Sequence, residues 1–132
     1  MKRRLLVVED NLPNRELLCD WLEAEGFLVV PAANLRQAFD ALRNQSIDAV
    51  LLDVQLGAED GLSVASWIRK ESHFNHMPII AVTAHAMLTD QERVIQAGCN
   101  ACVSKPIDLK VLREQLEQWL AGSLTPAQQP PR

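Results

Sequence analysis

Long apolar runs are missing from this 132-residue sequence. No stretch approaches the ~20 residues needed to cross a bilayer, so no membrane partner is expected. Cysteine is scarce: Cys19, Cys99 and Cys102 are the whole set. An odd, sparse set does not build a disulfide framework and points to a reducing, cytoplasmic compartment. Positive charge is also short. Thirteen Lys and Arg face 17 Asp and Glu, for a net charge of −4. That balance argues against nucleic acid or an anionic membrane as the partner. The basic start, Met1 to Arg4, is followed by an apolar run that Glu9 and Asp10 interrupt, so it does not read as a secretory signal. The length suits one domain with a real core and is too short for two.

Short apolar runs alternate with helix-period segments from end to end. Leu5–Val8, Phe27–Val30, Ile47–Leu52, Ile79–Val82 and Ala101–Ser104 read as strands. Between them, Pro13–Glu25 carries Leu17, Leu18, Trp21 and Leu22 at helical spacing, and Asn34 can cap a helix through Leu35, Ala38, Phe39 and Leu42. Asp60 precedes a third helix with Leu62, Ala65 and Ile68. Thr89-Asp90-Gln91-Glu92 resembles a capping box for a fourth, ending near Gly98. Asp108 caps a fifth through Leu120. Five βα units whose strands are apolar on both faces predict an α/β, flavodoxin-like fold: a parallel five-stranded sheet in order 2-1-3-4-5 with helices on both faces. The domain is expected over residues 1–122. Residues 123–132, with Pro126, Pro130 and Pro131, read as a disordered tail or linker start.

In such a fold, ligands bind beyond the carboxyl ends of the strands. Glu9 and Asp10 follow the first strand, Asp53 the third, Thr83 the fourth, and Lys105 with Pro106 the fifth. Clustered carboxylates raise one another's pKa unless a cation sits among them. Hard oxygen ligands at an open edge suit Mg²⁺, which shares its ligands with phosphoryl groups. A lysine and a threonine hydroxyl opposite can meet phosphoryl oxygens. Together these groups describe phosphate transfer onto an aspartate nucleophile.

These residues carry a resemblance. Glu9-Asp10, Leu52-Asp53, Ala81-Val82-Thr83-Ala84 and Lys105-Pro106, in this order and spacing, resemble the receiver domains of two-component response regulators across residues 4 to 121. The resemblance implies that Asp53 accepts phosphate from a histidine kinase or a histidine phosphotransfer protein. It implies that Asp10 and Asp53 ligate Mg²⁺ with the backbone carbonyl of Gln55, while Glu9 acts through water. Thr83 and Ala84 would follow the phosphoryl group, Lys105 would contact it, and the Lys105–Pro106 bond would be cis. Gln55 and His85 would tune the phosphate lifetime. A downstream protein would read the face built from the fourth helix, fifth strand and fifth helix, whose equilibrium phosphate biases.

Two positions depart from that pattern. Gly57 stands where a proline is common, which predicts a more mobile loop. Cys102 stands where an aromatic switch residue is usual, so a turning ring cannot report phosphorylation.

Other readings are weaker. A phosphohydrolase with an Asp nucleophile needs an acid two residues on, and Gln55 is there instead. A phosphorylation-independent adaptor on the same fold would not need the acidic pocket. Cys99 and Cys102 form a lone C-x-x-C that reads as packing. His73 and His76 are too few for a metal site. Trp21, Trp67 and Trp119 fall on helices as core or interface residues. No effector pattern follows the last helix. The chain therefore reads as a stand-alone receiver or one cut from a longer protein, and the Met1 start favours the first or an N-terminal receiver.

Overall fold

The computed structural model describes residues 2–71, 74, 76–84 and 88–122. The chain runs β1 (Arg4–Val8), α1 (Leu12–Ala24), β2 (Leu28–Ala32), α2 (Leu35–Asn44), β3 (Ala49–Asp53), β4 (Gln55–Leu56), β5 (Glu59–Asp60) and α3 (Leu62–Lys70). It continues through β6 (Ile79–Thr83), α4 (Leu88–Gln96), β7 (Ala101–Ser104) and α5 (Leu109–Gly122). Five strands form a parallel sheet in the order β2-β1-β3-β6-β7. Counting those strands alone, this is the expected 2-1-3-4-5. The short β4 and β5 make a separate antiparallel ribbon that the sequence pattern did not predict.

Strand alternation sorts the core into two halves. Leu6, Val8, Val50, Leu52, Ile79 and Ala81 point to one face, where they meet Ala38 and Leu42 of α2, Ala65 and Ile68 of α3 and Val94 of α4. Leu5, Val7, Leu51, Ile80 and Val82 point to the other, against Leu18 and Leu22 of α1 and Leu112 and Leu116 of α5. Every residue of β3 and β6 is buried. Both strands are therefore fixed in register, because a one-residue slip would exchange their two apolar sets.

Local chemistry sets the ends of the helices. The Asn11 side chain accepts from the Asn14 amide at 3.0 Å, and Pro13 sits in the first turn of α1, where a missing N–H costs nothing. The helix thus begins at Leu12, one residue before the expected start. Asn34 caps α2 by accepting from the Gln37 amide at 2.9 Å. Strand β2 extends through Pro31, beyond its expected end. It lies at the sheet edge, where a proline removes no ladder bond from an outer neighbour. Helix α4 already includes Leu88, so Thr89 lies inside the helix rather than capping it. Among the described residues, no helix is long and apolar enough to cross a membrane.

Candidate functional site

The carboxyl ends of β1, β3, β6 and β7 open into a cavity of about 650 Å³, lined in part by Glu9, Asp10, Asp53, Thr83, Ala84 and Lys105. Asp53 is the last residue of β3 and is only 4% exposed. Its Oδ2 accepts a hydrogen bond from Lys105 Nζ at 2.7 Å. Its Oδ1 accepts from the Gln55 amide at 3.0 Å. Both carboxylate oxygens are thus oriented by the chain itself.

Glu9 follows β1 and is 3% exposed. Its Oε1 lies 3.4 Å from Lys105 Nζ, so one ammonium serves two buried acids. Burial first, then hydrogen bonding to Asp53 and repulsion from it, push the Glu9 carboxyl up to about 7 against the pull of Lys105. Burial alone would lower the Lys105 ammonium. The bond to Asp53 and the charges of Asp53 and Glu9 outweigh it, and the net shift is upward. Asp10 is exposed at the rim, and the carboxylates of Glu9, Asp10 and Asp53 offer oxygens that all lie within 4.8 Å of one another. Three hard anionic donors beside a single ammonium match the needs of an oxygen-preferring divalent ion such as Mg²⁺.

Thr83 is buried at the end of β6, and its carbonyl accepts from the Lys105 amide at 2.8 Å. This backbone bond extends the β6–β7 pairing and carries Lys105 back over Asp53. The Lys105–Pro106 peptide bond is cis. Ala84 is exposed at the cavity rim. Cys102 sits in β7 opposite Ala81, half-buried against the core on the α2–α3–α4 side. Cys99 is buried, and burial drives its thiol up to about 12, in keeping with packing rather than redox chemistry. His73 and His85 lie outside the described residues.

The stretch after Asp53 is where sequence reading missed most. Residues 55–60 form the β4–β5 ribbon, closed at Gly57 with φ +60°. Positive φ at the first central residue but not the second is the pattern of a type II′ turn, a conformation closed to proline. The Gly57 departure thus corresponds to a defined turn. Asp60 Oδ1 accepts from the Leu62 amide at 3.0 Å and starts α3. Glu59 Oε1 accepts from the Leu35 amide at 3.1 Å and ties the ribbon to α2. Directly after them, Gly61 is pressed onto the end of β3. A Cβ there would lie 1.9 Å from the Asp53 carbonyl oxygen.

Residues 5–117 match the response regulator receiver domain family. The chain belongs to that family. The receiver is 38% identical over 123 residues to the polar-differentiation response regulator DivK of Brucella anthropi, a match covering 93% of this chain and all of that one. Among solved structures, it is similar to the CheY-like receiver domain protein of Methanospirillum hungatei, with a TM-score of 0.85 and 25% identity, covering 93% of this chain and 97% of that one. It is also similar to the receiver domain of a sensor histidine kinase of Pseudomonas aeruginosa, whose structure holds a magnesium ion in the active site cleft. There the TM-score is 0.82 and the identity 34%, over 91% of this chain and 98% of that one. The receiver is therefore a signalling module of two-component type.

Proposed function

We propose that this receiver is a phosphoacceptor switch in a cytoplasmic two-component phosphorelay. Asp53 takes a phosphoryl group from a histidine kinase or histidine phosphotransfer protein, and a protein partner reads the result on α4, β7 and α5. The observation that carries this reading is the 2.7 Å contact between Lys105 Nζ and Asp53 Oδ2, in a cavity that also gathers Glu9 and Asp10.

An Asp53 carboxylate oxygen attacks phosphorus as the bond from phosphorus to the donor breaks. The buried carboxylate is aimed by its two hydrogen bonds, so little reorientation is needed before attack. Lys105 is within reach of the charge that gathers on the phosphoryl oxygens. The Thr83 hydroxyl and the Ala84 backbone at the rim are the groups that follow the phosphoryl group. Asp10 and Asp53, with the Gln55 carbonyl and Glu9 through water, would hold Mg²⁺. When bound, the ion offsets the negative charge of donor and acceptor. The likeness to the Pseudomonas aeruginosa receiver, with its magnesium-bound cleft, supports that assignment. Gln55, exposed at the cavity rim, and His85 would tune how long the acyl phosphate survives. The switching domain spans residues 1–122, and no turnover of an outside substrate is proposed.

The test is intact mass after incubation with Mg²⁺ and acetyl phosphate. The expected result is the gain of one phosphoryl group by the wild type and none by Asp53→Asn. A wild type of unchanged mass would overturn the reading.

A further inference from the structure

Arg93 projects from α4, and its Nη2 stands 3.7 Å from Asp60 Oδ1. Both residues line the cavity that holds Asp53. Among the described residues of that lining, Lys105 and Arg93 are the two basic ones, against the acids Glu9, Asp10, Asp53, Glu59 and Asp60. Lys105 is already engaged by Asp53 and Glu9. Among the described residues of the lining, Arg93 is the basic side chain left for a further anion.

The Arg93–Asp60 pair is built to exchange. Its side chains are 57% and 60% exposed, so water competes strongly for both. Its two ends are anchored unequally. Asp60 is held by its bond to the Leu62 amide, and Gly61 beside it is pressed onto the carbonyl of Asp53. Arg93 has a long rotatable stem on a helix whose next residue, Val94, is buried in the core.

We propose that Arg93 is a second cationic contact for the phosphoryl group. It rests on Asp60 while Asp53 is unmodified and passes to the phosphoryl oxygens once they are present. The inference rests on the reading of Asp53 as phosphoacceptor. A carboxylate offers a guanidinium one negative charge, whereas a phosphoryl group offers close to two and three strong acceptor oxygens. The planar fork of arginine binds such a group through two parallel hydrogen bonds. The transfer therefore runs toward the phosphoryl group and places the charge at Asp53 in direct contact with α4. It gives that helix a contact that depends on phosphorylation without any aromatic side chain at position 102.

Beryllium fluoride tests this, because in the presence of Mg²⁺ it adds to a carboxylate oxygen as a tetrahedral phosphoryl mimic. Its binding is followed by fluorine NMR on the whole chain. Arg93→Gln should weaken binding about 5-fold, and Arg93→Lys, which keeps the charge but loses the fork, by about 2-fold. Asp60→Asn should tighten binding about 2-fold by releasing Arg93, since an asparagine Oδ1 can still accept from the Leu62 amide. In the Arg93→Gln background, Asp60→Asn should then change nothing. Wild-type affinity in Arg93→Gln overturns the inference. So does an Asp60→Asn gain that persists without Arg93, which would reveal simple relief of repulsion. A wild type that binds no beryllium fluoride overturns the phosphoacceptor reading itself, and this inference with it.

Discussion

At the carboxyl end of the sheet Lys105 meets carboxylates, which can change their charge; at the amino end Arg69 donates to three neutral oxygens. Arg69 donates from Nε to the Gly98 carbonyl at 2.8 Å, from Nη1 to the Met77 carbonyl at 2.7 Å and from Nη2 to Asn100 Oδ1 at 2.8 Å. Asn100 Oδ1 also accepts from the Ile79 amide at 2.8 Å. One guanidinium thus ties the end of α3 to the starts of β6 and β7. Burial lowers the pKa of Arg69, whereas the carboxylates around Lys105 outweigh burial and raise its pKa. A cation among carbonyls is a clamp: the three oxygens it holds do not ionise, and the thiol of Cys99 beside it is kept protonated by burial. A cation among carboxylates is a poised group, because protonation, a divalent ion or a phosphoryl group each redistributes its bonds.

If the contrast is right, losses at the two ends should fall on different observables. Lys105→Ala should slow phosphorylation by acetyl phosphate by about 100-fold, as expected for removing a charge-stabilising donor from the reacting oxygens. Intact mass followed over time measures this, and a rate within threefold of wild type would break the comparison. Arg69→Met should do the reverse. It leaves carbonyls at the edge of the core without their charged donor, for a loss of about 2–4 kcal/mol in urea denaturation. The phosphorylation rate of its folded form should stay near wild type. A stability loss below about 1 kcal/mol would show the clamp to be slack.

A smaller effect sharpens the comparison through pH. The folded protein holds a proton on Glu9 up to about pH 7, whereas an ordinary glutamate releases it near 4.5. The native state therefore binds more protons across that window, and stability falls as pH rises from 4.5 to 7. In magnesium-free buffer Glu9→Gln should remove about 1–3 kcal/mol of that fall, read from denaturation midpoints at the two ends of the window. A slope equal to that of wild type would count against a raised Glu9. The smallest change expected is in Gly57→Pro, which forces a negative φ on a residue now at +60°. It should cost about 1 kcal/mol or more and reshape the ribbon beside Asp10, detectable as altered amide shifts over residues 55–60.

The carboxyl-end site was legible from sequence because a parallel sheet sends every strand exit to one edge. Acids, a threonine and a lysine placed just after apolar runs must then converge, as Asp53 and Lys105 do across 52 positions. The strand order and both helical layers followed from the same alternation. The amino-end clamp was not legible. Arg69 reads as a plain basic residue in the last turn of a helix, and its partners Gly98 and Asn100 lie 29 and 31 positions away in a turn of no special pattern. The ribbon was missed for another reason. Strands of two residues carry too few positions for a period to register. The pairing of Arg93 with Asp60 depends on where that ribbon folds, so it was hidden for the same reason.

Position 61 neither ionises nor faces the solvent, yet the chain has nowhere to yield around it. Randomising residue 61 and selecting for signalling should return glycine almost alone. The mark is that of an abutment against which the reactive strand end is seated, and a survey of chemistry-bearing side chains would pass over it.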